Sequence, residues 1–141
     1  MRNNIRTYQN INVVSAINSA DPHSIISMLF DGIFKSVSIA KGAINRKEFE
    51  VKSKELNKAM SILRSLQDSL DMESEPEIST SFNELYAYCI DRLTQVSVSL
   101  DCGIIDEVVD LLKPLADAWK NIPESDKEEG HTLLKSKVQV R

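Results

Sequence analysis

The sequence predicts an all-α fold, an antiparallel four-helix bundle, and three observations predict it. Apolar residues recur three or four positions apart in four separate stretches, the spacing of one buried helix face. Four glycines and four prolines among 141 residues are too few for a turn-rich β fold. No stretch alternates apolar and polar residues with the period of a strand. Short polar links between the stretches favour antiparallel neighbours.

The first helix is expected over 21–44. Asp21 can accept from the free amides of the first turn, and Pro22 at the first helical position sacrifices no bond. Ile26, Leu29, Ile33, Val37, Ala40 and Ile44 form a stripe, and Ile25, Met28, Phe30, Phe34 and Ile39 lie off it. A helix apolar on two faces must be covered on two sides, which places it at the centre of the bundle. Gly32 sits inside this helix, where it costs about 1 kcal/mol against alanine. Close approach of a neighbouring helix or peptide is one reason for it, and simple tolerance is the other.

The second helix is expected over 47–70, with Leu56, Ala59, Leu63, Leu66 and Leu70 inward. Lys52, Lys54, Lys58, Arg64 and Asp68 mark its solvated side. The acidic stretch 71–77, with Pro76, reads as the longest link. The third helix is expected over 79–100, with Ser81 and Glu84 at capping-box spacing. Leu85, Cys89, Leu93, Val96 and Leu100 form its main seam, with Tyr86 and Ile90 beside it and Tyr88 elsewhere. The fourth, over 104–122, has the most regular seam: Ile105, Val108, Leu112, Leu115, Trp119 and Ile122. Pro114 removes a backbone hydrogen bond within it and is expected to kink it near Asp110 and Leu111.

Two flanks remain. Residues 1–20 keep a weak helical spacing through Ile5, Tyr8 and Ile11, and read as a short, partly ordered segment lying against the bundle. Residues 123–141 read as a loosely ordered tail, acidic at first and ending with Leu133, Leu134, Val138 and Val140.

Composition narrows the function. A net charge of −4 with scattered bases disfavours a nucleic-acid surface. No apolar run is long enough for membrane insertion, and the first residues lack the apolar core of a signal peptide. With two cysteines and no disulfide framework, a cytoplasmic location with two buried thiols is the simple expectation. Catalytic and metal chemistry find little support. His23 belongs to a helix start and His131 to the tail; there is no Glu-x-x-His pair, no Cys-x-x-Cys pair and no phosphate-binding glycine loop. Asp31 lies in an apolar run and is expected to be paired, with Arg92 as the candidate partner. An enzyme is therefore not expected, nor any catalytic, metal or cofactor residue. What stands out is apolar surface in excess of one seam on three of the four helices, the signature of a bundle that offers a groove to another chain. Tyr88, Ile90, Val98, Val109 and Leu111, off the main seams of the third and fourth helices, are the candidate partner-binding residues.

Several strings carry a resemblance. Ala20-Asp21-Pro22-His23 precedes Met28-Leu29-Phe30-Asp31-Gly32; Leu85-Tyr86-x-Tyr88 leads to Arg92-Leu93; and Ala116-Asp117-Ala118-Trp119-Lys120 closes the bundle. In this order, over about residues 8–122, they resemble the FliS family, the flagellin-specific export chaperones. Glu75-Pro76 stands where that family usually carries Gly-Gly. The resemblance implies a cytoplasmic four-helix bundle that binds the C-terminal segment of flagellin, prevents premature polymerisation and delivers it to the flagellar type III secretion apparatus. It also implies that the N-terminal segment can cover the client groove as a lid, with Ile5 and Tyr8 best placed for that role here. Contacts with the export gate and with flagellar regulators belong to the same implication. A helical adaptor for another partner and a structural homodimer remain alternatives.

Overall fold

The computed structural model describes residues 21–121, and these form four helices: α1 (Pro22–Asn45), α2 (Phe49–Asp68), α3 (Pro76–Ser99) and α4 (Cys102–Lys120). The expectations for 1–20 and 123–141, including Ile5 and Tyr8, lie outside the described residues. Each helix packs on the next and α4 closes back on α1. Partners run in opposite directions along every seam. Asp31 and Lys41 of α1 pair with Lys120 and Asp106 of α4 at 2.7 and 2.8 Å. Gln67, Met60 and Lys52 of α2 meet Asn83, Thr94 and Ser97 of α3. The bundle is antiparallel throughout.

The helix ends follow from side-chain and backbone capping. Asp21 Oδ1 accepts from the Ser24 amide at 2.8 Å, with Pro22 in the first turn. At the other end of α1, the Glu48 and Lys47 amides return to the Ala43 and Ile44 carbonyls while Lys47 adopts φ 60°. That pattern is a Schellman turn with lysine where glycine is usual. Leu100 ends α3 in the same left-handed region, φ 59°. Asp101 then caps α4 by accepting from the Gly103 amide at 2.8 Å.

One helix, α3, departs from expectation. α3 starts at Pro76, and Ser81 caps nothing: its hydroxyl donates to the Glu77 carbonyl one turn back. The proline is tolerated at the first helical position, so the helix reaches back to it. Ser79 instead donates to the Asp71 carbonyl at 2.6 Å and ties the link to the helix. In α4, Pro114 lies inside a helix that continues to Lys120.

The core holds Phe30, Ile33 and Val37 of α1, Leu56, Leu63 and Leu66 of α2, Cys89, Leu93 and Val96 of α3, and Ile105, Val108 and Leu112 of α4. Each is almost wholly withdrawn from water, and each such side chain contributes about 1.5–3 kcal/mol. Gly32 sits where α1 meets α2: a Cβ there would stand 3.0 Å from Ile62 Cδ1. Lys52 is buried, against the expectation of a solvated residue. Its ammonium donates to the Ser97 carbonyl at 3.0 Å and lies 5.8 Å from the Phe49 ring centre, so the charge is partnered.

Candidate functional site

The five candidate partner-binding residues fall at four separate places on the bundle. Ile90 is half-buried one turn from Thr94, whose hydroxyl meets Met60 of α2, so it belongs to the α2/α3 seam. Val109 is half-buried between Asp106 and Lys113, which reach Lys41 and the Phe34 ring of α1. Val98 is 86% exposed near the end of α3. Tyr88 and Leu111 alone share a flank, where α3 meets α4.

That flank has a polar centre. The Tyr88 hydroxyl donates to Glu107 Oε1 at 2.8 Å, and Arg92 Nε donates to the same oxygen at 2.9 Å. Arg92 also donates to Gln95, which donates to Asp91. Arg92 is therefore committed within α3 and to Glu107, and it is Lys120 that pairs with Asp31, which is exposed. The sequence position of Asp31 in an apolar run misdirected that expectation, because the residue sits on the outer edge of α1 beside α4. The hydrogen bond from Tyr88, then the Arg92 guanidinium, holds the Glu107 carboxyl below its ordinary value. The same hydrogen bond raises the Tyr88 phenol.

Around this centre the flank is apolar. Leu111 lies one helical turn beyond Glu107, and half-buried Leu85 and Leu115 continue toward the end of the bundle where α1 begins and α4 ends. There the strip opens into a cavity of about 160 Å³. Ile26 and Phe30 of α1, Leu66 and Leu70, Ile78, Phe82 and Tyr86 of α3, and Leu115 and Trp119 of α4 line it. Ser69, Asp71, Glu75 and Ser79 supply its polar edge. A space of about 150 Å³ with such walls accepts a benzene-sized apolar group. Phe82 stacks on Tyr86 with ring centres 6.4 Å apart. Burial pushes the Tyr86 phenol to about 12 and the Cys89 thiol behind it to about 11, so both stay protonated and unreactive at neutral pH.

The cavity was not foreseen in the sequence. Starting the third helix at 79 left Ile78 outside it, one turn from Phe82. His23 was likewise expected to fill only a solvated or capping role at the start of the first helix. It stacks on Trp119 with ring centres 5.1 Å apart; its Nε2–H donates to the Trp119 carbonyl at 2.6 Å, and the indole N–H donates back to the His23 carbonyl at 2.9 Å. This reciprocal clamp fastens the start of α1 to the end of α4 beside the cavity.

Among the described residues no group of three or more histidine, cysteine, aspartate or glutamate side chains could hold a metal ion. No described helix is long and apolar enough to cross a membrane.

Known proteins share this chain's sequence over most of its length. The family model described as flagellar protein FliS matches residues 3–126. A Salmonella typhimurium flagellar secretion chaperone FliS is 40% identical over 119 residues, 84% of this chain and 88% of the relative. The Vibrio cholerae flagellar secretion chaperone FliS is 29% identical over 140 residues, covering 99% of this chain and all of the relative. The Bacillus subtilis flagellar secretion chaperone FliS is 31% identical over 117 residues, 83% and 86% of the two chains. With a family match across nearly its whole length and the bundle just described, this chain belongs to the FliS family of flagellar secretion chaperones, which are not enzymes.

Proposed function

We propose that this chain is a cytoplasmic export chaperone that binds the disordered C-terminal segment of flagellin, keeps it from polymerising, and delivers it to the flagellar type III secretion apparatus. The observation that carries this reading is the apolar strip from Tyr88 and Leu111 through Leu85 and Leu115 into the end cavity. It suits the apolar stripe of an amphipathic helix, whose leucine-sized side chains would enter the cavity. The ordering cost of the disordered segment is met by burial of that stripe, without catalysis or a cofactor.

Residues 1–20 act as a lid over this surface, through Ile5 and Tyr8. The start of α1 and the end of α4 stand beside the cavity, which supports this reading. Removing residues 1–18 then raises client affinity, and an unchanged dissociation constant contradicts the lid.

Phe49 and Val98 are exposed at the opposite end of the bundle, flanking buried Lys52. Contacts with the export gate or with flagellar regulators would be made there, leaving the client in place.

Leu111→Asp and Ile78→Asp test the client surface. Both side chains are exposed, so the fold tolerates the change, while a carboxylate under the client's apolar stripe weakens binding of a flagellin C-terminal peptide at least about tenfold. Unchanged affinity with unchanged melting temperature overturns this placement. A chain that self-associates through the same strip and ignores the peptide would be the structural homodimer instead.

A further inference from the structure

The Tyr88–Glu107–Arg92 cluster interrupts an otherwise apolar strip, and its geometry is specific. Glu107 accepts both protein hydrogen bonds on Oε1, and Oε2 accepts none from the described residues. The Glu107 side chain is 39% exposed, and Leu111 on the next turn is equally so. Two donors fix the carboxylate, so its second oxygen is held at one place on the strip.

We propose that Glu107 Oε2 is a register pin. It selects a client helix that carries one neutral hydrogen-bond donor, an amide or hydroxyl side chain, within its apolar stripe. The inference rests on the client reading above and adds to it the chemistry of one client position. An apolar residue at that point would cover a carboxylate oxygen without pairing it, which is unfavourable. A carboxylate there is repelled. A cation is disfavoured because the Arg92 guanidinium already lies on the same carboxylate. A glutamine, asparagine, serine or threonine satisfies the oxygen and leaves the flanking apolar contacts to Leu111, Leu85 and the Tyr88 ring. The pin therefore fixes which turn of the client meets the cavity, and apolar helices without the donor bind less well.

The test is a coupling measurement on full-length protein. The probe is a peptide of the last ~50 residues of the cognate flagellin, long enough to run the bundle's length as helix. Each glutamine, asparagine, serine and threonine of the peptide is changed singly to alanine. Affinities are measured against the wild type and against Glu107→Ala, with Glu107→Gln as a second variant should alanine lower the melting temperature. One peptide position is expected to lose about tenfold in affinity for the wild type, the size of a hydrogen bond to a charged group, and less than twofold for Glu107→Ala. Additive losses at every position, with Leu111→Asp still weakening binding at least about tenfold, would overturn the pin and leave the client reading intact. A peptide that fails to bind the wild type would overturn both.

Discussion

At the residue scale, His23 and Trp119 hold the start of α1 to the end of α4 through one stack and two reciprocal hydrogen bonds. His23→Ala removes the stack and one of those bonds, and is expected to lower stability by about 1–2 kcal/mol in a denaturant titration. Lys47 works the other way. It is exposed and held at φ 60°, so Lys47→Gly relieves left-handed strain and should stabilise by up to about 1 kcal/mol. Glu107 and Tyr88 give the surface a pH signature. The folded value of Glu107 lies below its ordinary 4.5, so its contribution is complete above 4.5 and is lost as pH falls through the folded value. Tyr88 is raised above 10.0, so its contribution is complete below 10.0 and is lost as pH climbs through the folded value. The melting-temperature gap between wild type and Glu107→Gln should therefore be constant near neutrality and close in acid. The pairings behind these effects were illegible in the sequence. Asp31 with Lys120, and His23 with Trp119, are separated by most of the chain, and residue type alone pointed Asp31 at Arg92.

At the element scale, the apolar stripes placed all four helices, because a stripe is local and repeats within each segment. Their ends were less visible. Pro76 was read as a breaker and serves as a first-turn residue, which hid Ile78 and Phe82 from view as cavity walls. Gly32 shows what a stripe cannot say. Its contact, Ile62 Cδ1, lies on another helix. Gly32→Ala should be near neutral, since the helical gain of about 1 kcal/mol offsets displacement of a flexible methyl end. Gly32→Val drives a branched side chain into Ile62 and should cost about 1–3 kcal/mol by thermal melt. The helical wheel also grouped Ile90, Val98 and Val109 with Tyr88 and Leu111, although they point to different neighbours. A wheel gives the angle of a side chain about its own helix, while the identity of the facing helix depends on bundle order.

At the scale of the whole molecule, four stripes close one core, and a continuous part of the surplus apolar surface runs along the α3/α4 flank into the adjoining end cavity, while Phe49 and Val98 stand exposed at the opposite end. Leu63→Ala and Leu112→Ala, at fully buried positions, should each cost about 2–5 kcal/mol and weaken client binding only through loss of folded protein. Leu111→Asp should do the reverse, sparing the fold and weakening the client. That separation of core from surface was only partly legible beforehand. An excess of apolar residues predicted a groove, but where four helices leave a gap of about 160 Å³ depends on how their ends pack. The most direct measurement is titration calorimetry of the full-length protein with the C-terminal flagellin peptide at several temperatures. One-to-one binding with a large negative heat-capacity change is expected, the mark of an apolar strip leaving water. No heat at any temperature, together with no comigration on a sizing column, would contradict it.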